Sequence, residues 1–209
     1  MKRRMRRALP AILALAALTV AVAGCGGGTA KERALTGDDL VSVVGPAPDT
    51  PAGVSYADTG QPTDLNLAGL RAHAQTAADR ATVARLERAG LTRLYQRSFD
   101  AGSNIADGTA YHFLAVAGAR TAYLDLQTAL KQQAGPGQKL TDVAANGIGD
   151  EAWGAHLTGG SEAALFLSRI ANVVVVADMS CDTDCGLDIV SAARSYVEAM
   201  ATRASQAAG

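Results

Sequence analysis

Apolar residues along this chain change their spacing several times, and each change marks an element. Residues 8–24, "ALPAILALAALTVAVAG", carry no charge and follow the cationic head "MKRRMRR". That pairing is the n-region and h-region of an export signal, and the run is short for a membrane span of ~20 residues. Leu67, Leu70, Ala74, Ala77, Ala81 and Ala84 recur at alternating spacings of three and four. They predict a helix from about Asp64, with a mostly alanine seam and a stop at Gly90. "LTRLYQRSF" and "TAYHFLAVA" read as antiparallel strands joined by the loop "DAGSNIADG", the second apolar on both faces and so more central. "ARTAYLDLQTALKQQ" puts Ala119, Ala122, Tyr123, Leu126 and Leu130 on one helical face, and "GPG" ends it.

The last third is strand-like. "EAWGAHL" predicts one strand, and "EAALFLSR" with "NVVVVADM" predicts a hairpin around Ile170-Ala171-Asn172, where Asn172 suits the left-handed conformation such turns need. A final helix runs from about Leu187 to Arg203, with Val190, Ala193, Val197, Met200 and Ala204 on one side. The order α-β-β-α-β-β-β-α predicts an α+β domain, an antiparallel sheet covered by helices, over residues 63–206.

The leader ends in Val22-Ala23-Gly24-Cys25, which resembles the lipobox of bacterial lipoproteins, with Val22 in place of the more usual leucine. The resemblance implies cleavage after residue 24 and a diacylglyceryl thioether on Cys25, which becomes the mature N-terminus. The alternatives are an ordinary secretory signal or an uncleaved anchor, with Cys25 incidental. Each buried methylene contributes about 0.8 kcal/mol, so two or three chains hold a protein durably on a membrane. The protein is thus expected on the extracytoplasmic face of the cell membrane. Residues 25–62 are rich in Gly, Pro, Ala, Asp and Thr and read as a flexible tether, in which "LVSVV" forms one strand or docks on the domain.

Charge narrows the partners. The chain carries 19 basic and 20 acidic residues, and the leader holds Lys2, Arg3, Arg4, Arg6 and Arg7 with no acid. The mature chain therefore has 14 basic residues against 20 acidic, a net of −6, which argues against nucleic acid and against a polybasic grip on anionic lipid. Aromatic residues make up only 4%, so Ala, Val and Leu must build most of the core.

With Cys25 assigned to lipid, Cys181 and Cys185 remain, close together in "SCDTDCG". An even pair in an exported protein reads as a disulfide, provided that Asp182, Thr183 and Asp184 turn the chain enough to bring the two Cα atoms within about 7 Å. The spacing is not that of a redox-active Cys-x-x-Cys pair.

"RAGLTRLYQRSF", "AGARTAYLDL", "GIGDEAW" and "RIANVVVVADM" together resemble exported lipoproteins and sensor-like domains of high-GC Gram-positive bacteria, some with PsbP-like α/β sandwich folds. The resemblance spans roughly residues 64 to 205. It implies a ligand-binding or scaffold domain at the cell envelope rather than a particular chemistry.

A search for catalytic groups returns little. His73, His112 and His156 share no metal-ligand spacing, and "TGGSEA" is not a nucleophile elbow. Asp178, Asp182, Asp184 and Asp188 lack the closing glutamate of an EF-hand. Asp150 and Glu151 in "GIGDEAW" are the best candidates for acid–base work or cation binding. The competing account is architectural: Gly147 and Gly149 make a turn, Asp150 bonds its backbone and Trp153 fills the core. We therefore expect no cofactor, no metal and no catalysis. The expected function is that of an anchored envelope domain binding a small apolar ligand, a wall component or a protein. The alternative is a hydrolase of envelope polymers.

Overall fold

The run "VVVVA" occupies the middle of the fold. Val173, Val174, Val175 and Ala177 are fully buried and Val176 nearly so, because a strand apolar on both faces needs cover on both sides. The structure is a computed structural model that describes residues 34–49, 55–132, 134–181 and 187–209.

The chain enters through a short 3-10 turn and helix α1 (Leu40–Val44). Two short strands follow, β1 (Ala57–Asp58) and β2 (Thr63–Asn66), then helices α2 (Leu67–His73) and α3 (Ala77–Arg88). Next come β3 (Leu91–Ala101), β4 (Asn104–Phe113), α4 (Val116–Lys131) and β5 (Lys139–Val143). The chain closes with β6 (Glu151–Thr158), β7 (Glu162–Ile170), β8 (Val173–Cys181) and α5 (Ile189–Ala208).

The strands form one antiparallel sheet of order β1-β3-β4-β8-β7-β6-β5, with β2 also beside β3. The fold is α+β as expected. The predicted order α-β-β-α-β-β-β-α is found as α3-β3-β4-α4-β6-β7-β8-α5. On one face α5 and α1 pack Tyr196, Val197, Met200, Leu40 and Val43 against Phe99, Phe166, Val173 and Val175. On the other, α3 and α4 pack Leu86, Tyr123 and Leu126 against Tyr111, Phe113, Leu167 and Val174. The tyrosine of α5 sits so close over β4 that a Cβ at Gly108 would lie 2.1 Å from the Tyr196 hydroxyl.

Several expectations give way. The single helix from Asp64 divides into β2, α2 and α3, because Thr76 and Asp79 form a capping box that starts a new helix. Only Ala74 of its alanine seam is buried. Ala77, Ala81 and Ala84 are exposed while Thr82, Val83 and Leu86 are covered, since burying a valine or leucine removes more apolar area than burying alanine. The loop "DAGSNIADG" is mostly strand, reduced to a tight turn between β3 and β4. β1, β2 and β5 were not foreseen.

Within residues 25–62, expected to form a tether, Gly37–Val44 are helical and Ala57–Asp58 pair with β3. Leu40, Val43 and Val44 are wholly buried, so "LVSVV" docks on the domain, as a helix. Its last carbonyls are held by arginines: Arg203 Nε donates to Val43 O at 2.9 Å, Arg203 Nη2 to Val44 O at 2.8 Å and Arg97 Nη1 to Gly45 O at 2.6 Å. Cations suit the negative end of a helix.

Candidate functional site

The segment Gly147–Trp153 runs from the β5–β6 connection into β6 and meets the end of the β7–β8 hairpin through Asp150 and Glu151. Ile148 is its buried foot, with its carbonyl accepting from Ser168 Oγ at 3.0 Å. Gly149 has φ +62°, and a Cβ there would meet Ser168 Oγ at 2.4 Å and the Arg169 carbonyl at 2.7 Å. Glycine is required both by conformation and by space. Gly147 shares the left-handed conformation, at φ +84°, with open space around it.

This close approach brings Asp150 to the hairpin. Its N–H donates to Arg169 O at 2.8 Å, and its Oδ2 accepts from the Ala171 N–H at 2.9 Å. The same oxygen meets Arg169 Nη1 at 2.9 Å. Glu151 Oε1 takes Arg169 Nε at 3.0 Å and Arg120 Nε at 3.2 Å. Arg169, whose side chain is only 10% exposed, also donates to Ala171 O at 3.0 Å. One nearly buried guanidinium thus occupies both candidate carboxylates, and the second of them also holds Arg120.

Trp153 is buried against the α4 face of the sheet. Its indole Nε1 donates to Asp142 Oδ1 at 3.0 Å, and Lys131 Nζ lies 5.3 Å above the ring. Burial first, then the nearby Glu151 charge, pushes the Tyr123 hydroxyl up to about 12.

The three histidines stay apart. His73 Nδ1 lies 2.9 Å from Gly69 O, His156 Nε2 lies 2.7 Å from Glu162 Oε1, and His112 bonds the chain near Leu35. Among the described residues no group of three or more His, Cys, Asp or Glu is placed to hold a metal ion. Cys181 ends β8 and is buried; Cys185, the pairing partner expected for it, and Cys25 lie outside the described residues.

The hairpin turn itself departs from expectation. Ala171, not Asn172, takes the left-handed conformation, at φ +48°. Asn172 is buried, and its amide is engaged elsewhere: Nδ2 donates to Phe113 O at 2.8 Å and to Leu35 O at 3.1 Å.

The acidic stretch is taken apart as well. Asp188 caps α5, accepting from Ser191 N–H at 3.1 Å, and Asp182 and Asp184 lie outside the described residues. Asp178 sits inside β8, directly opposite Asp107 of β4. Burial, and secondarily the charge of Asp107, pushes Asp178 up to about 7. Burial raises Asp107 too, against hydrogen bonds from Ser98 and Gln96. This pair was missed. The sequence shows part of it, since Asp107 shares a strand face with Ile105, Thr109 and Tyr111, but which residue sits opposite depends on register.

Comparison with known protein families and with curated proteins finds no match. Among solved structures, the extracellular domain of PknH from Mycobacterium tuberculosis is similar. It shares 13% identity at a TM-score of 0.52, covering 82% of this chain and 98% of that one. A putative uncharacterized protein of Mycobacterium smegmatis aligns at 12% identity and a TM-score of 0.42, covering 72% of this chain and 88% of that one. At such identity the first match shows a shared fold. No helix among the described residues is long and apolar enough to cross a membrane.

Proposed function

We propose that the protein is a lipid-anchored, non-catalytic domain of the cell envelope that recognises a partner on its surface. The observation carrying this reading is the fate of Asp150 and Glu151. Both bond to Arg169, so the residues best suited to hydrolysis brace a hairpin instead. The shared fold with the extracellular domain of PknH supports an extracytoplasmic placement, and the lipobox supports an anchor at Cys25. Side chains of the chain itself fill both faces of the central strand. That favours a wall component or protein met at the surface over a small apolar ligand enclosed in the core.

The test is to incubate the protein with isolated cell-wall polymer and measure two things, co-sedimentation and release of soluble fragments. Binding without release is expected. Release that Asp150→Asn abolishes without lowering the melting temperature would establish the hydrolase instead. The anchor is checked separately, because Cys25→Ala should leave the protein unprocessed by the lipoprotein peptidase. A processed Cys25→Ala protein still on the membrane would overturn the assignment.

A further inference from the structure

We infer that Asp107 and Asp178 form a proton-sharing pair that makes one end of the β4–β8 ladder a pH-sensitive joint. It is closed when the pair holds a proton and loosened when both carboxylates are charged.

The geometry is simple. Asp107 and Asp178 are direct cross-strand partners, which puts their Cβ atoms roughly 4.5–5.5 Å apart on the same face of the sheet. Asp107 is buried, and Asp178 keeps only partial contact with solvent. Their row continues into Ser98 of β3 and, through Leu165 and Ala155 of β7 and β6, to Asp142 of β5, and the polar neighbours bonding Asp107 are Ser98 and Gln96. Ser98 Oγ donates to Asp107 Oδ1.

Among the described residues no cation is found acting on the pair. On the covering helix α4, Arg120 is bonded to Glu151 and Lys131 to Asp142, and the other charged group there is Asp125. Arg97 of β3 bonds Gly45 and Asp58, and Arg203 of α5 bonds Val43 and Val44. These two arginines serve the opposite face, where Tyr196 of α5 also packs. The charge acting on Asp178 is that of Asp107. Two carboxylates at this separation in a low-dielectric setting do not both ionise readily, and they titrate as a pair.

The direction follows from where the proton is held. An unfolded aspartate has released its proton by about pH 4, whereas Asp178 in the fold keeps it up to about 7. Between those values the folded state binds the extra proton, so this contribution is fully present below about pH 4. It is lost as pH rises toward 7. Asp64, Asp79 and Asp188, all lowered by hydrogen bonds, work in the opposite sense, and only a difference between variants isolates the pair.

The experiment compares thermal and denaturant melts of the full chain and of Asp178→Asn from about pH 5 to pH 8. The ratio of their unfolding constants should rise with pH, by up to about tenfold per unit. Asp107→Asn serves as a second variant that removes the neighbouring charge and should move the midpoint of Asp178 downward. Carboxyl-carbon NMR gives a direct reading, with a resonance of the pair titrating near neutrality in the wild type. Parallel melting profiles for wild type and both variants, or carboxyl resonances that finish titrating below about pH 5, would overturn the proposal.

Discussion

The side-chain amide of Asn172 holds the backbone of Leu35 as a neighbouring strand would. Leu35 N–H donates to Asn172 Oδ1 at 2.9 Å, and Asn172 Nδ2 donates to Leu35 O at 3.1 Å, across 137 positions of sequence. His112 Nε2 reaches the same carbonyl at 2.5 Å. The same nitrogen lies 3.1 Å from Asn172 Nδ2, and the ring's Nδ1 lies beside Thr92 Oγ1. The amide that the hairpin turn did not need for its own backbone thus fastens the N-terminal segment to the domain.

Asn172→Ala is therefore expected to destabilise the domain by about 2–4 kcal/mol, since it strips partners from buried backbone groups of Leu35 and Phe113. Hydrogen exchange locates the effect. Amides of residues 36–45 should lose protection well before those of β7 and β8, and uniform loss would show that the amide serves the sheet instead.

Ala171→Gly should stabilise the fold. Ala171 is the only non-glycine at positive φ among the described residues, and a side chain there costs about 1–2 kcal/mol. Glycine relieves that strain and loses some unfolded-state advantage, so a net gain of about 1 kcal/mol is the expected result in denaturant melts.

Trp153→Ala should cost about 3–5 kcal/mol, because it empties a large buried volume and leaves the Asp142 contact unmade. Asp150→Asn should cost less, about 1–2 kcal/mol, since the amide keeps an acceptor for Ala171 N–H and Arg169 retains Glu151. Equilibrium unfolding of both variants gives the order, and a fully stable Trp153→Ala protein would remove the architectural account of "GIGDEAW".

Gly108→Ala should be severely destabilising, by about 2–4 kcal/mol, as the new methyl meets the Tyr196 hydroxyl and ring. Combining it with Tyr196→Phe should recover part of the loss, because the nearest clashing atom is gone. Strictly additive effects in that double-mutant cycle would show that the two positions do not touch.

Cys181 and Cys185 are expected to be joined in the exported protein, which non-reducing peptide mapping checks. Two free thiols in freshly exported material would be the contrary outcome.

What the sequence determined by itself was local. α4 and α5 each carry enough apolar residues at a helical period to declare their type and buried face, β7 and β8 declare their type by continuous apolar runs, and "GIGDEAW" declares a glycine turn, although Asp150 bonds the distant Arg169 and Ala171 rather than its own turn. Alanine was the weak point: its side chain is too small to decide which face of α3 is buried, so Val83 and Leu86 decided it through contacts the sequence does not display. Tertiary structure also decided everything that depends on register and on distant partners. The opposition of Asp107 to Asp178, the pairing of Arg169 with Asp150 and Glu151, and the capture of Leu35 by Asn172 join residues that no local pattern connects. Their energies come from desolvation and from groups brought together only once the sheet is aligned. That is why the longer elements could be read from the chain, while the short edge strands and the roles of its charged and polar residues could not.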